Sequence, residues 1–247
     1  MKQEVDEIVS WLQTQVEKTG VNGLMVGISG GIDSAVVAAL IKRACPDHSL
    51  GVIMPINTSD ATMQDAKAVT DATGIDYMTI DLTEVHASMY QMIKTQLENK
   101  HVYEEQNTQL AQANLRARLR MSTLYTIATN YNYLVVGTDN AAEWYTGYFT
   151  KYGDGGVDIL PIVEFTKGEV RKMAAYLDIP SSVRTKQPSA DLWEGQSDEQ
   201  EMGISYATID AYLKGKAIPK EDQEKIEAMH KRSAHKREAL PHFSRKN

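Results

Sequence analysis

The sequence predicts an α/β protein built on a doubly wound, Rossmann-like parallel sheet with helices on both faces. Three observations carry that expectation. Short apolar runs of buried-strand type alternate with helical patterns along the chain, the order that builds βαβ units and parallel sheets. The first apolar run ends in a Gly-rich turn that leads straight into a helical pattern, as at phosphate-binding strand ends. At 247 residues, 42% hydrophobic and 24% charged, the chain is long enough to bury one sizeable core or two small ones.

Val5, Ile8, Val9, Leu12 and Val16 recur at helical spacing and give an amphipathic first helix that Gly20 and Gly23 end. Leu24 to Ile28 reads as the first strand. After the Gly-rich turn, Val36, Val37, Leu40 and Ile41 mark a helix that stops near Pro46. Leu50 to Ile56 is the second strand, and a polar helix from about Ser59 ends at Gly74. A third strand, Tyr77 to Leu82, leads into a helix starting near Thr83 or Glu84.

Asn99 to Asn107 is polar and reads as a loop, followed by a long helical pattern to about Asn130 and a fourth strand, Tyr133 to Gly137. Asp158 to Val163 fits a fifth strand. Thr166-Lys167-Gly168-Glu169 is a capping box opening a helix that ends before Pro180. Thr185 to Ser197 is irregular, and two further helices follow, separated by Gly215 to Pro219. Without a repeat, low-complexity tract or linker, residues 1–247 are expected to form a single domain. In such a sheet ligands bind at the carboxyl ends of the strands near a switch in strand order. The turns after strands one and four then share one crevice.

The net charge of −7 argues against general nucleic-acid binding, which rests on Lys and Arg neutralising phosphates. Cys45 is the only cysteine, so neither an intrachain disulfide nor a cysteine-based zinc site is available; its place just before Pro46 fits a buried structural role. The acidic N-terminus lacks an apolar signal region, and no apolar run approaches the roughly 20 residues of a membrane span. The expected location is cytoplasmic, without a membrane partner.

Ser29-Gly30-Gly31-Ile32-Asp33-Ser34 is a phosphate-cradling design. Its glycines let the backbone approach an anion closely, and the N–H groups at the helix start point toward it. Ser29 and Ser34 add hydroxyl donors. Asp33 would repel a bare phosphate, so its presence suggests an intervening divalent metal; taken alone, it also reads as an N-cap. Neither G-x-x-x-x-G-K-[ST] nor a strand-following G-x-G-x-x-G occurs.

This loop resembles that of the N-type ATP pyrophosphatases, which cleave ATP between the α- and β-phosphates. Further stretches resemble the NAD synthetases of that superfamily and cover nearly the whole chain. They are Gly137-Thr138-Asp139-Asn140-Ala141-Ala142-Glu143, Thr146 to Asp158, Lys167, Pro188-Ser189-Ala190-Asp191-Leu192 and His235-Lys236-Arg237. The resemblance implies an adenine nucleotide alpha hydrolase-like fold, a C–N bond-forming ligase and a homodimer.

The resemblance also implies roles for single residues. Gly27, Ile28, Ser29, Gly30, Gly31, Ile32, Asp33 and Ser34, with Thr138, Lys167 and Ser189, would bind ATP. Asp33 and Glu143 would hold Mg²⁺; Arg118, Lys151, Asp158, His235 and Lys236 would bind deamido-NAD. Asp33, Ser34 and Lys167 would carry the chemistry. Taken alone, Thr138 reads as a helix cap, Glu143 as an early helix residue, Lys167 as a solvated first-turn lysine and Ser189 as a turn residue. Arg118, beside Leu115, Ser122 and Tyr125 on the long helix, fits a snorkelling charge, and His235-Lys236-Arg237 a solvated tail. Where the family usually has threonine, Ser189 keeps the hydroxyl.

The implied reaction is ATP-dependent amidation of deamido-NAD through an acyl-adenylate, releasing AMP and pyrophosphate. The first helix runs almost directly into the phosphate loop and leaves no room between them for a glutaminase domain, so ammonia is the expected donor. The rival readings are GMP synthetase, a tRNA-thiolating enzyme or a non-catalytic ATP sensor. A single cysteine and the negative charge disfavour thiolation, and paired metal carboxylates disfavour a sensor. The irregular stretches Ile56 to Ala61 and Thr185 to Gln200 are candidates for loops that close over substrate.

Overall fold

The computed structural model describes residues 1–187 and 197–245. Its first helix, α1 (Lys2–Thr19), buries Val5, Ile8 and Leu12 along one stripe, and Gly20 in a left-handed conformation closes it by donating to Val16 O. Next come β1 (Gly23–Gly27) and α2 (Ile32–Ala44). Cys45 ends α2 half-buried, and burial pushes its thiol above the ordinary range. After β2 (Ser49–Ile53), Ser59 caps α3 (Asp60–Thr73) by accepting from Thr62 N. Then follow β3 (Asp76–Thr79), α4 (Thr83–Asn99), a short 3-10 turn over Glu105–Asn107, α5 (Thr108–Tyr131) and β4 (Tyr133–Val135).

The four strands are parallel in the order β3-β2-β1-β4. Alternation within β1 divides the core: Leu24 and Val26 pack with α1 and α2 on one face, while Met25 packs with Leu50, Val52 and Val135 against α5 on the other. Both faces are covered, which makes the sheet doubly wound as the sequence implied. The chain leaves β1 toward β2 on one side and returns as β4 on the other, so strand order switches beside β1. A crevice opens there at the carboxyl ends.

The expected fifth strand at Asp158 to Val163 does not form. Gly137 donates to Ile159 O at 2.8 Å and a single parallel bridge joins Val136 to Ile159. Pro161 lacks the N–H that would extend the ladder. The second, third and fourth strands also end two or three residues earlier than the apolar runs suggested. Met54 and Pro55 after β2, and Val136 and Gly137 after β4, line the crevice.

Beyond β4 the chain forms α6 (Ala141–Thr146), α7 (Lys167–Tyr176), α8 (Ser181–Thr185), α9 (Asp198–Met202), α10 (Tyr206–Leu213) and α11 (Lys220–Arg232), then a 3-10 turn over Ala234–Lys236. Helices α10 and α11 are the expected final pair. Ala142, Met202, Ile204, Tyr206, Ile209 and Ile226 form a separate apolar cluster that roofs one side of the crevice. No described helix is long and apolar enough to cross a membrane.

Leu24 is fully buried in the central strand. Its replacement by alanine is expected to cost about 2–5 kcal/mol of stability, measured by chemical denaturation. A loss under about 1 kcal/mol would mean that the layer beneath β1 collapses to fill the space.

Candidate active site

The turn after β1 supplies an anion cradle. Gly30 has φ +81°, and a Cβ there would lie 2.8 Å from Thr62 O, so only glycine fits. Gly31 is the N-cap of α2, and its N–H donates to Ser29 Oγ at 3.2 Å. The Ser29 and Ser34 hydroxyls are 3.0 Å apart, with Ser34 donating to Gly31 O. Asp33 is therefore not the N-cap that the sequence allowed: it sits within the first turn of α2 and reaches across the crevice.

Asn140 meets it from the turn after β4. It caps α6 by accepting from Ala142 N at 3.1 Å and Glu143 N at 3.2 Å. Its amide nitrogen donates to Asp33 Oδ1 at 3.0 Å, and its backbone N–H to Glu143 Oε2 at 3.1 Å. One residue thus positions both carboxylates. Thr138 is not a cap; it lines the crevice, half-buried.

Lys167, at the start of α7, completes the cluster and is only 2% exposed. Its Nζ lies 2.5 Å from Asp33 Oδ2 and 3.2 Å from Glu143 Oε1, and 4.6 Å from the centre of the Tyr206 ring. The solvated first-turn lysine allowed by the sequence is excluded. The capping box holds this helix start: Glu169 Oε2 accepts from Thr166 N at 2.9 Å and Thr166 Oγ1 at 2.6 Å. Asp210 of α10 accepts from the Lys167 and Gly168 N–H groups at 3.1 and 2.8 Å. Tyr206 OH lies 2.9 Å from both Glu143 Oε1 and Asp198 Oδ2.

Burial lifts the Glu143 carboxyl to about 7; Lys167 opposes the rise and Asp33 adds to it. Burial alone would lower the Lys167 ammonium, but Asp33 and Glu143 outweigh it and hold the group above its ordinary range. Burial also raises the Tyr206 phenol, with the Glu143 and Asp198 carboxylates reinforcing it. Nearby, Asp139 is 5% exposed, its Oδ2 has no hydrogen-bond partner among the described residues, and burial pushes its carboxyl well up.

Asp33, Asp139, Glu143, Lys167 and Asp198 line a cleft of about 400 Å³ together with Ser29, Ser34, Thr138 and Lys236. The paired Asp33 and Glu143 carboxylates suit Mg²⁺, which takes one or two carboxylates and completes its shell with phosphate and water oxygens. No cluster of three or more His, Cys, Asp or Glu side chains suited to a metal occurs among the described residues.

Of the residues implied for the second substrate, several form a contiguous strip. Arg118, exposed on α5, donates to Lys151 O at 3.3 Å through its terminal nitrogen. Lys151 Nζ reaches His235 O at 2.5 Å, and Lys236 Nζ reaches Gly147 O at 2.7 Å and Phe149 O at 2.5 Å. Asp158 accepts from Tyr125 OH at 2.9 Å and Val135 N at 2.8 Å, so both its oxygens already have partners. Ser189 lies outside the described residues.

The tail is anchored, not freely solvated. Arg237 donates to Trp144 O at 3.0 Å and His230 O at 2.6 Å, and Gly147, at φ +69°, leaves no room for a Cβ beside Ser233.

Sequence reasoning assigned no role to Asn140, Asp198, Tyr206 or Asp210. Asn140 stands inside the quoted Gly137 to Glu143 stretch, where its spacing from Glu143 is that of a cap and its third helical residue. The others lie on α9 and α10, whose sequence pattern signals only helix.

Helix starts thus carry acidic and basic groups into a cleft at the strand-order switch, the arrangement of a nucleotide-binding α/β enzyme. The NAD synthase family model matches residues 4–240. An NH(3)-dependent NAD(+) synthetase of Alkaliphilus oremlandii is 55% identical over 241 residues, covering 98% of this chain and 96% of that protein. Among solved structures, an NMN synthetase from Francisella tularensis superposes with a TM-score of 0.88 at 38% identity, covering 98% of both chains. An NAD+ synthetase from Burkholderia pseudomallei gives 0.79 at 28% identity, covering 97% of this chain and 90% of that one. The chain belongs to the NAD synthase family.

Tyr206→Phe leaves Glu143 and Asp198 without their shared hydroxyl donor and is expected to cost about 1–3 kcal/mol of stability. Denaturant titration checks this. A change under about 0.5 kcal/mol would show that the phenol has no share in holding the cluster.

Proposed function

We propose that this chain amidates deamido-NAD to NAD with ATP and ammonia, releasing AMP and pyrophosphate. The observation that carries the reading is the meeting of Asp33 and Glu143, from the turns after β1 and β4, on the buried Lys167 ammonium. The 55% identical relative named as an NH(3)-dependent NAD(+) synthetase supports the choice of reaction.

A carboxylate resists ammonia because its leaving group would be oxide. The substrate carboxylate therefore attacks the α-phosphorus of ATP, forming a C–O–P link and expelling pyrophosphate. Ammonia then attacks the acyl carbon and AMP departs. The Ser29 to Ser34 cradle holds phosphate oxygens with backbone N–H and hydroxyl donors, and Thr138 and Ser189 contribute to the ATP site. Lys167 donates a charge-assisted bond to the phosphates. Asp33 and Glu143 would hold Mg²⁺, which supplies charge neutralisation at those phosphates when bound. Arg118, Lys151, Asp158, His235 and Lys236 bind the dinucleotide; since Asp158 is already engaged by Val135 and Tyr125, it also fixes the strip's position on the sheet.

A second reading, amidation of the mononucleotide, is favoured by the likeness to the NMN synthetase. Incubation with ATP, Mg²⁺, ammonium and either nicotinic acid mononucleotide or deamido-NAD decides between them. The expected result is equimolar NAD, AMP and pyrophosphate, with a kcat/KM favouring the dinucleotide; preference for the mononucleotide would reverse the assignment. Asp33→Asn, which leaves Glu143 as the carboxylate partner of Lys167, is expected to fold with reduced stability and to lose about 100-fold or more in kcat. Unchanged turnover would remove its carboxylate from the chemistry.

The chain is also proposed to act as a homodimer. An exposed apolar stripe lies on α4: Val85, Met89, Met92, Ile93 and Leu97 follow one another at helical spacing and are all at least 39% exposed. Met92→Glu with Ile93→Glu is expected to give monomers in sedimentation. A wild-type chain that sediments as a monomer would contradict the dimer.

A further inference from the structure

The Lys167 ammonium stands between the Asp33 and Glu143 carboxylates. Every oxygen of the two carboxylates is accounted for. Asp33 Oδ1 accepts from Asn140 Nδ2, and Glu143 Oε2 accepts from Asn140 N. Asp33 Oδ2 and Glu143 Oε1 face Lys167 Nζ at 2.5 and 3.2 Å. These two oxygens converge on one point, and the lysine fills it.

We propose that Lys167 is an internal counter-cation that keeps the metal site closed until a nucleotide draws its ammonium onto the phosphates. This deepens the ATP reading above and rests on it. A divalent ion brought to Asp33 and Glu143 while Lys167 is in place would sit against a like charge in a buried cluster. The triphosphate resolves that conflict by offering the ammonium other anionic oxygens in the same cleft. Metal and nucleotide then bind cooperatively, because each is favoured by the state that the other requires.

The local structure suits an exchange confined to the side chain. Asp210 and the Glu169 capping box anchor the Lys167 backbone, so the start of α7 stays fixed. The lysine stem is flexible and unbranched, and the Tyr206 ring lies 4.6 Å from Nζ as an apolar, electron-rich face. Asn140 keeps Asp33 and Glu143 in register during the exchange, since its bonds go to the oxygens that the lysine does not use.

Mn²⁺ binding followed by electron paramagnetic resonance, without nucleotide, tests the proposal. Lys167→Met is expected to bind Mn²⁺ about tenfold or more tightly than the wild type, and adding Asp33→Asn should abolish the gain. Equal affinity in Lys167→Met and wild type would overturn it. A second arm uses the wild-type chain with ¹⁵N-labelled lysine, the Lys167 ammonium signal being assigned by its loss in Lys167→Arg. Mg²⁺ alone should leave that signal in place, and Mg²⁺ with α,β-methylene-ATP should move it. A signal moved by Mg²⁺ alone, or unmoved by both together, would contradict the proposal. Neither arm contains deamido-NAD or ammonia. Failure to form NAD would therefore sink the amidation reading alone, and failure of the Mn²⁺ arm the counter-cation alone.

Discussion

The structure depends on the ionic contact of Lys167 with Asp33 and Glu143. A buried ammonium costs several kcal/mol in lost hydration, and that cost is offset only by well-placed partners. Here two carboxylates and an aromatic face provide them. Removing one member of such a buried pair typically costs about 3–5 kcal/mol. The contact therefore ties together the starts of α2, α6 and α7, which come from distant parts of the chain.

That meeting is a consequence of strand order. With β4 beside β1 and β2 on the other side, the turns after β1 and β4 face each other across the crevice. Each turn feeds a helix start, where the aligned peptide dipoles favour acidic groups, so Asp33 and Glu143 stand in positions the backbone already favours. Asn140 joins the two turns by bonding to both. From the roof, Tyr206 and Asp210 hold the carboxylate and the lysine backbone. Helix α10 is thus part of the site, although it belongs to a separate apolar cluster.

Much of this was legible in the sequence. Apolar runs and capping residues marked β1, α2, α3, α5 and the α7 box, because each has a local cause: side-chain period, a left-handed glycine or a short side-chain bond. The phosphate turn was legible from its glycines and serines. The fifth strand was not, since an apolar run alone does not reveal that Pro161 withholds a ladder donor. Nor were Tyr206 and Asp210 as partners of Glu143 and Lys167, because contacts across 63 and 43 residues leave no periodic signal. Arg118 and Lys151 were grouped only through family resemblance. The structure adds their direct contact and shows that Asp158 has a backbone partner as well.

In the proposed reaction the cluster directs a substrate carboxylate onto the α-phosphorus of ATP. Deamido-NAD labelled with ¹⁸O in its carboxyl group, turned over with ATP and ammonium, tests it most directly by mass spectrometry of the products. Attack at the α-phosphorus places one ¹⁸O atom in each AMP formed and none in pyrophosphate. Label in pyrophosphate, or its absence from AMP, would contradict attack at the α-phosphorus.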